Sequence, residues 1–103
     1  MTWESRPWGG FEVLSDGVTA LHIAPGAETP VFGGGSDRLH WVVTSGTGNA
    51  IVDGKDVWLF PGVHVEVPPG ANYALVGDRE SRFHPETGED LCVIEVVVRG
   101  AHG

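Results

Sequence analysis

The chain has 103 residues, which corresponds to one domain, and 41% of them are hydrophobic, enough to fill a single core. The formal net charge is −8 and there are only six Lys and Arg residues, so the basic surface that nucleic acids and anionic membranes require is missing. There is no run of about 18 apolar residues and no secretory leader at the N-terminus, so we expect a cytoplasmic protein without a membrane segment.

Short segments rich in strand-forming residues recur along the chain and are separated by turns containing Gly or Pro. Sixteen glycines and seven prolines leave almost no room for a helix of ordinary length. The segment 50–60 predicts a hairpin that turns at Asp53-Gly54-Lys55. The pattern indicates one all-β domain over residues 1–103, a sandwich or barrel. The predicted strands are 11–15, 18–24, 39–44, 48–53, 56–60, 63–67, 72–76 and 91–98.

The last predicted strand, 91-LCVIEVVV-98, is apolar on both faces. Alternation places Cys92, Ile94 and Val96 on one face, and Leu91, Val93, Glu95 and Val97 on the other. A strand of this kind is normally covered on both sides, by a second sheet or by another subunit. We therefore expect a homodimer.

The segment 78–90 has a different composition from the rest of the chain. It carries five acids, two arginines and one histidine, with Phe83 as its only large apolar residue. This composition is typical of a solvated loop, and a lid over a pocket is the alternative. The single cysteine, Cys92, excludes an internal disulfide, and its apolar neighbours favour a buried, unreactive thiol.

Local motifs for nucleotide binding, nucleophilic catalysis or zinc binding are absent from the sequence. There is no P-loop string, no G-x-S-x-G elbow, and 46-GTGNAI-51 lacks the third glycine of a dinucleotide-binding loop. The five histidines are dispersed along the chain, and no two of them have the spacing of a local metal site.

Two glycine-framed segments resemble the two conserved motifs of the cupin superfamily. The segment 62–77 matches the second motif at Gly62, Pro68 and Gly70, and the segment 26–46 matches both ends of the first. In addition, 6-RPWGGFEVL-14 and 39-LHWVVTSGTGNAIV-52 resemble the C-terminal cupin domain of type II mannose-6-phosphate isomerases. The resemblance covers residues 6 to 99 and implies a small double-stranded β-helix, or jelly-roll barrel.

The resemblance also implies that the metal ligands of the family have been replaced. The two histidines of the family's first motif correspond to positions within 32–35, a segment with three adjacent glycines. The glutamate of that motif corresponds to Leu39, and the histidine of the second motif corresponds to Tyr73. His40 matches a histidine of the isomerase strand, but one imidazole cannot hold a metal, and alternation points it away from the face of Leu39. We therefore expect no metal and no cofactor. The glycines are interpreted as a flexible or closely packed turn.

Two functions remain open at this point. The first is a metal-free binding protein or structural dimer, with a sugar or sugar phosphate in a pocket formed by Leu39, Trp41 and Tyr73. Arg6 would contact an anionic ligand, and His40 is a further candidate for ligand binding. The alternative is a metal-independent sugar isomerase or epimerase that uses Tyr73 as its acid, with His22 or His64 as base. Alternation in 63–67 places His64 outside the core, which weakens the second reading.

Overall fold

The computed structural model describes residues 3–33, 35–80 and 89–99, and the regular structure in these ranges is entirely β-strand. All eight predicted strands are present, so the prediction of an all-β protein is confirmed. Two short strands, β1 and β4, were not predicted. The strands are β1 (Trp3–Arg6), β2 (Gly9–Ser15), β3 (Val18–Ile23), β4 (Phe32–Gly33), β5 (Arg38–Ser45), β6 (Gly48–Val52), β7 (Lys55–Leu59), β8 (His64–Val67), β9 (Asn72–Gly77) and β10 (Leu91–Val98).

The strands form two antiparallel sheets with the core between them. One sheet has six strands in the order β1-β2-β3-β10-β5-β8, and the other has four in the order β4-β9-β6-β7. Both sheets contribute apolar side chains to a single cluster, because alternate residues of each strand face inward. Its members are Trp8, Ile23, Trp41, Val43, Ala50, Leu59, Val65, Val67, Ala71, Leu75, Leu91 and Val93.

The predicted hairpin joins β6 to β7 through a two-residue turn. Val52 pairs with Lys55, and Asp53 and Gly54 between them have φ angles of 49° and 80°. Two successive positive φ angles match the right-handed twist of the flanking strands, which is why Asp-Gly is a preferred sequence at this place.

The last strand, β10, lies in the interior of the six-stranded sheet, between β3 and β5. Leu91 and Val93 face the core and are buried, whereas Ile94 and Val96 are half-buried on the outer face. The second sheet therefore covers one face of this strand, as expected. Coverage of the other face by a second subunit stays a prediction.

Strand β8 has the alternation that the sequence predicts. Val65 and Val67 are buried, and His64 is exposed on the outer face. Cys92 departs from the expectation of a fully buried thiol: it is half-buried on the outer face of β10, where its Sγ lies 3.3 Å from Nδ1 of His22.

Most of the acidic segment 78–90 lies outside the described residues, since only Asp78, Arg79, Glu80, Glu89 and Asp90 belong to them. Whether it is a loop or a lid stays a prediction. Within the described part of the chain, there is no helix that could cross a lipid bilayer.

Candidate functional site

Two cavities lie in the interior of the fold, and two residues line both of them. The first cavity has a volume of about 410 Å³ and the second about 290 Å³. Tyr73 from β9 and Glu95 from β10 contribute to the wall of each. They come from opposite sheets, so the site is built across the barrel. A cavity of this size can hold one small molecule.

Aromatic side chains form much of the wall of the first cavity. Trp8, Phe11, Phe32 and Tyr73 all line it. The Phe32 ring lies 6.4 Å from that of Trp8 and 5.7 Å from that of Tyr73, between ring centroids. Rings at these separations support one another, so the wall is a rigid apolar surface.

Glu95 places a carboxyl group among these apolar side chains. It lies opposite Trp41 of β5 in the sheet, and Nε1 of Trp41 donates a hydrogen bond of 2.9 Å to its Oε2. Burial raises the pKa of Glu95 above its ordinary value, and the Trp41 hydrogen bond offsets part of that rise. The carboxyl group is therefore held by one partner but only weakly stabilised as an anion.

Tyr73 is the second polar group shared by the two cavities. Its ring meets that of the fully buried Trp41 edge to face at 5.2 Å. Burial, with a smaller contribution from the charge of Glu95, raises the pKa of Tyr73 to about 12. The phenol is thus protonated at neutral pH and can donate a hydrogen bond.

Arg6 lies at the edge of the first cavity, in β1. Its guanidinium sits 4.9 Å from the centroid of the Phe11 ring, and Nη1 is 3.7 Å from Oε1 of Glu4. The side chain is 42% exposed, so solvent reaches it. Arg6 can contact a ligand at the rim, although it already forms an ion pair with Glu4.

Four of the five predicted site residues come together in the structure. Leu39 and Tyr73 line the second cavity, Arg6 and Tyr73 line the first, and Trp41 is buried in contact with Tyr73 and Glu95.

The fifth residue, His40, lies on the outer face of β5, as alternation with Leu39 predicted. There its Nδ1 is 2.9 Å from Nε2 of His64, and the two rings are nearly parallel. The structure therefore separates His40 from the barrel interior, and His64, one of the two candidate bases, lies with it. The other candidate, His22, lies opposite Cys92 on the outer face of the six-stranded sheet.

Sequence reasoning missed Glu95 as a site residue. The available signal was an acid at the centre of the otherwise apolar strand 91–98. A carboxyl group in such a strand is costly to bury, so it is a candidate for a functional position when the strand is internal.

Comparison with solved structures identifies the fold. The chain superimposes on the Schizosaccharomyces pombe Cnp3 cupin domain with a TM-score of 0.73 at 15% identity, covering 87% of this chain and 64% of that one. A cupin protein from Bacteroides fragilis gives a TM-score of 0.68 at 19% identity, covering 84% and 69%. The fold is a cupin barrel.

A third match is to Drosophila melanogaster CENP-C bound to CAL1, with a TM-score of 0.73 at 10% identity, covering 93% of this chain and 75% of that one. These identities are low, and the chain spans only 64% of the Cnp3 structure. No protein-family model matches the sequence, and no curated protein matches it. The comparisons therefore establish the cupin barrel and leave the ligand to be argued from the site.

The resemblance assigned the two histidines of the first motif to positions within 32–35, the glutamate to Leu39 and the last histidine to Tyr73. Gly33 and Gly35, from the first of these segments, line the second cavity together with Leu39 and Tyr73. Of these, only the Tyr73 phenol carries a donor atom, and a protonated phenol is a poor ligand for a divalent ion. Among the described residues, no three His, Cys, Asp or Glu side chains form a group that could hold a metal. The donor set does not fit a divalent metal at this position.

Gly33 occupies a backbone position that leaves no room for a side chain. Its φ angle is 137°, and a Cβ at this position would collide with the carbonyl oxygen of Ala71. A histidine cannot occupy the same backbone position. At Gly35, in contrast, a Cβ would meet no atom within 4 Å. Gly33 is therefore closely packed as expected, but it lies in strand β4 and not in a turn, and Gly35 is not closely packed.

Proposed function

We propose that this cupin-fold protein binds one compact small molecule in the barrel interior. The observation that carries the proposal is the first cavity, whose aromatic wall ends in two hydrogen-bonding groups, Tyr73 and Glu95. An apolar cavity with a few convergent polar groups is the usual form of a small-molecule site. Arg6 at the rim adds a charge with which a ligand can be oriented.

A sugar or sugar phosphate is the ligand class that the resemblance to mannose-6-phosphate isomerases suggests. Aromatic faces suit the C–H surface of a sugar ring, and Tyr73 and Glu95 can bind its hydroxyl groups. A phosphate group fits only at the rim beside Arg6, because deeper in the cavity it would approach the Glu95 carboxylate.

Ligand binding in this proposal is independent of metal. Manganese, zinc or nickel added in hundredfold excess over a Kd would raise the stability by about 2.7 kcal/mol if a site existed. We expect the melting temperature to stay unchanged on adding these ions or a chelator. One tightly held transition metal per chain in the purified protein would contradict this part of the proposal.

The binding proposal is tested by nuclear magnetic resonance of the tryptophan indoles. The chain has four tryptophans, of which Trp8 lines the first cavity, whereas Trp58 lies at the surface and is 39% exposed. A panel of sugars, sugar phosphates and uncharged and charged aromatic fragments should include members that shift the Trp8 signal and leave that of Trp58 unchanged. Thr19→Trp, which places an indole in the first cavity, should weaken the shift. Failure of every probe to shift Trp8 would overturn the proposal.

Proton transfer is a second candidate function, favoured by the position of Tyr73 and Glu95 on both cavities. Tyr73 would act as the acid and Glu95 as the base, a role for which its raised pKa suits it. An epimerase or isomerase of this kind exchanges a carbon-bound hydrogen of a sugar with deuterium from solvent. Exchange that is lost in both Tyr73→Phe and Glu95→Gln would support catalysis, and its absence with all sugars tested would leave binding alone.

Homodimerisation through the outer face of the six-stranded sheet is the structural part of the proposal. Ile94 lies between Ala20 and Val42 on this face, so that an apolar row crosses three strands. Sedimentation should give twice the chain mass of 10.9 kDa. Ile94→Glu should reduce it to one chain, whereas Val31→Glu, at a side chain that is already 72% exposed, should leave the dimer intact. A monomeric wild type at micromolar concentration would refute the dimer.

A further inference from the structure

We propose that the barrel selects organic cations, namely primary or secondary amines carried on a compact apolar group, with Glu95 as their counter-ion. The inference rests on the proposed function, since it names the ligand class of the same cavity. Three features of the described residues support it: the sign of the buried charge, the aromatic wall and the pairing of Arg6.

The charge inside the first cavity is negative. Of the described residues that line it, Glu95 is the only acid and Arg6 the only base. Arg6 is solvent-exposed and paired with Glu4, so its charge is partly screened and acts on a ligand more weakly than that of Glu95. Glu95 is more deeply buried, and among the described residues Trp41 alone donates a hydrogen bond to its carboxylate. A ligand ammonium group would supply the buried charged partner that Glu95 lacks among the described residues.

The aromatic wall also favours a positively charged ligand. The faces of aromatic rings carry partial negative charge and attract cations, most strongly where water is excluded. Arg6 already illustrates this, because its guanidinium lies over the face of Phe11 at the edge of the cavity. Trp8, Phe32 and Tyr73 provide further aromatic rings in the wall of the same cavity as Glu95. The cavity thus combines aromatic rings with one carboxylate, as cation-binding sites do.

Anionic and neutral ligands fit this arrangement less well. A carboxylate or phosphate would have to approach Glu95 without a buried basic partner, which a low-dielectric cavity penalises. A neutral alcohol can accept or donate one hydrogen bond at Glu95 but gains no charge pairing. The raised pKa of Glu95, whose largest cause is burial, is consistent with a carboxylate that gains from a cationic partner.

Three probes of similar shape and different charge test the inference: benzylamine, benzyl alcohol and benzoate. Titration at neutral pH, followed through the Trp8 indole signal, should rank benzylamine first, about tenfold or more tighter than benzyl alcohol, with benzoate weakest. If benzyl alcohol or benzoate binds as tightly as benzylamine, the preference for amines is wrong although the barrel still binds small molecules. If none of the three shifts Trp8 but a sugar does, the inference fails and the proposed function stands.

Variants separate a role of the Glu95 charge from an effect on folding. Glu95→Gln keeps the size of the side chain and an acceptor for Trp41, so it should reduce benzylamine affinity to that of benzyl alcohol and change benzyl alcohol affinity by less than about twofold. Glu12→Gln removes the same charge from β2, at the residue next to Phe11, and serves as the matched control with unchanged binding.

Arg6→Gln gives an independent readout at an exposed side chain. Removing the positive charge of Arg6 from the rim should strengthen binding of the cation benzylamine and weaken binding of the anion benzoate. Weaker benzylamine binding together with stronger benzoate binding in Arg6→Gln would overturn the inference. So would a folded Glu95→Gln variant that binds benzylamine as tightly as the wild type does.

Discussion

Trp41 and Glu95 face each other on neighbouring strands, 54 positions apart in the chain, and the indole nitrogen of one donates a 2.9 Å hydrogen bond to the carboxylate of the other. Trp41 is fully buried, so the bond cannot be exchanged for one to water without opening the core. The hydrogen bond holds the Glu95 side chain in a position where it lines both cavities. The site therefore depends on a residue in the core as well as on those that line the cavities.

Trp41→Phe should destabilise the protein by about 2–3 kcal/mol, because it removes the hydrogen bond and leaves a space in the core. It should also raise the pKa of Glu95 further, since the Trp41 hydrogen bond lowers it in the wild type. Urea denaturation and carbon NMR of the Glu95 carboxyl measure the two effects. Trp58→Phe, at the surface, is the control and should change stability by less than about 0.5 kcal/mol. Equal losses in the two variants would contradict the prediction.

Replacing Glu95 by Gln should change how stability depends on pH. Because the folded pKa of Glu95 lies above its ordinary value of 4.5, the folded state holds the proton more tightly than the unfolded state. The stability of the wild type therefore falls as the pH rises from 4.5 through the folded pKa, and Glu95→Gln lacks this loss. The stability of the variant relative to the wild type should increase from pH 4.5 to pH 7. A relative stability that stays constant or decreases would show that burial does not raise the pKa of this group.

Tyr73 is the only tyrosine, so its ionisation can be followed by the ultraviolet absorbance of the phenolate. The folded protein should titrate with a pKa of about 12, and the urea-unfolded chain near 10.0. Since the folded state keeps the proton to higher pH, stability should decrease as the pH rises above 10.0. Glu95→Gln should lower the folded pKa, because the Glu95 charge contributes to it. Phenolate formation at pH 10.0 in the folded wild type is the result that would contradict this.

Two glycines, Gly33 and Gly35, should respond differently to the same substitution. Gly33→Ala places a Cβ against the Ala71 carbonyl at a φ of 137°, and we expect a loss of about 2 kcal/mol or more. Gly35→Ala meets no atom within 4 Å and should change the stability by less than about 0.5 kcal/mol. Thermal or urea denaturation of the two variants compares them directly. If both are tolerated, close packing does not explain the glycine at position 33.

The strands could be predicted because turn residues and alternation are local properties of the sequence. The segment 63–67 shows this well: alternation alone assigned His64 to the surface and Val65 and Val67 to the core, as observed. The strands β1 and β4 escaped prediction because they are short and largely exposed, so that no apolar pattern marks them. They exist through pairing with β2 and β9, a contact between segments that alternation does not report.

The site was harder to predict because it depends on which face of a strand is internal. Glu95 was correctly grouped with Leu91 and Val93 by alternation, but both faces of this strand are apolar, and the sequence did not say which one meets the second sheet. The pairing of Glu95 with the buried Trp41 shows that the face of Leu91, Val93 and Glu95 is the internal one. His40 presents the opposite case, since alternation separated it from Leu39 while its match to a family motif kept it among the candidates.

The interior position of β10 in the six-stranded sheet has a consequence for synthesis of the protein. While a ribosome is still translating residues before Leu91, β3 and β5 each lack the neighbour that lies between them in the finished sheet. Their backbone amides and carbonyls would then be open to pairing with other nascent chains. Ribosome–nascent chain complexes stalled before residues 91–98 are synthesised, and complexes stalled after these residues have left the exit tunnel, should therefore differ sharply in protease resistance. Compact structure should appear only in the second set.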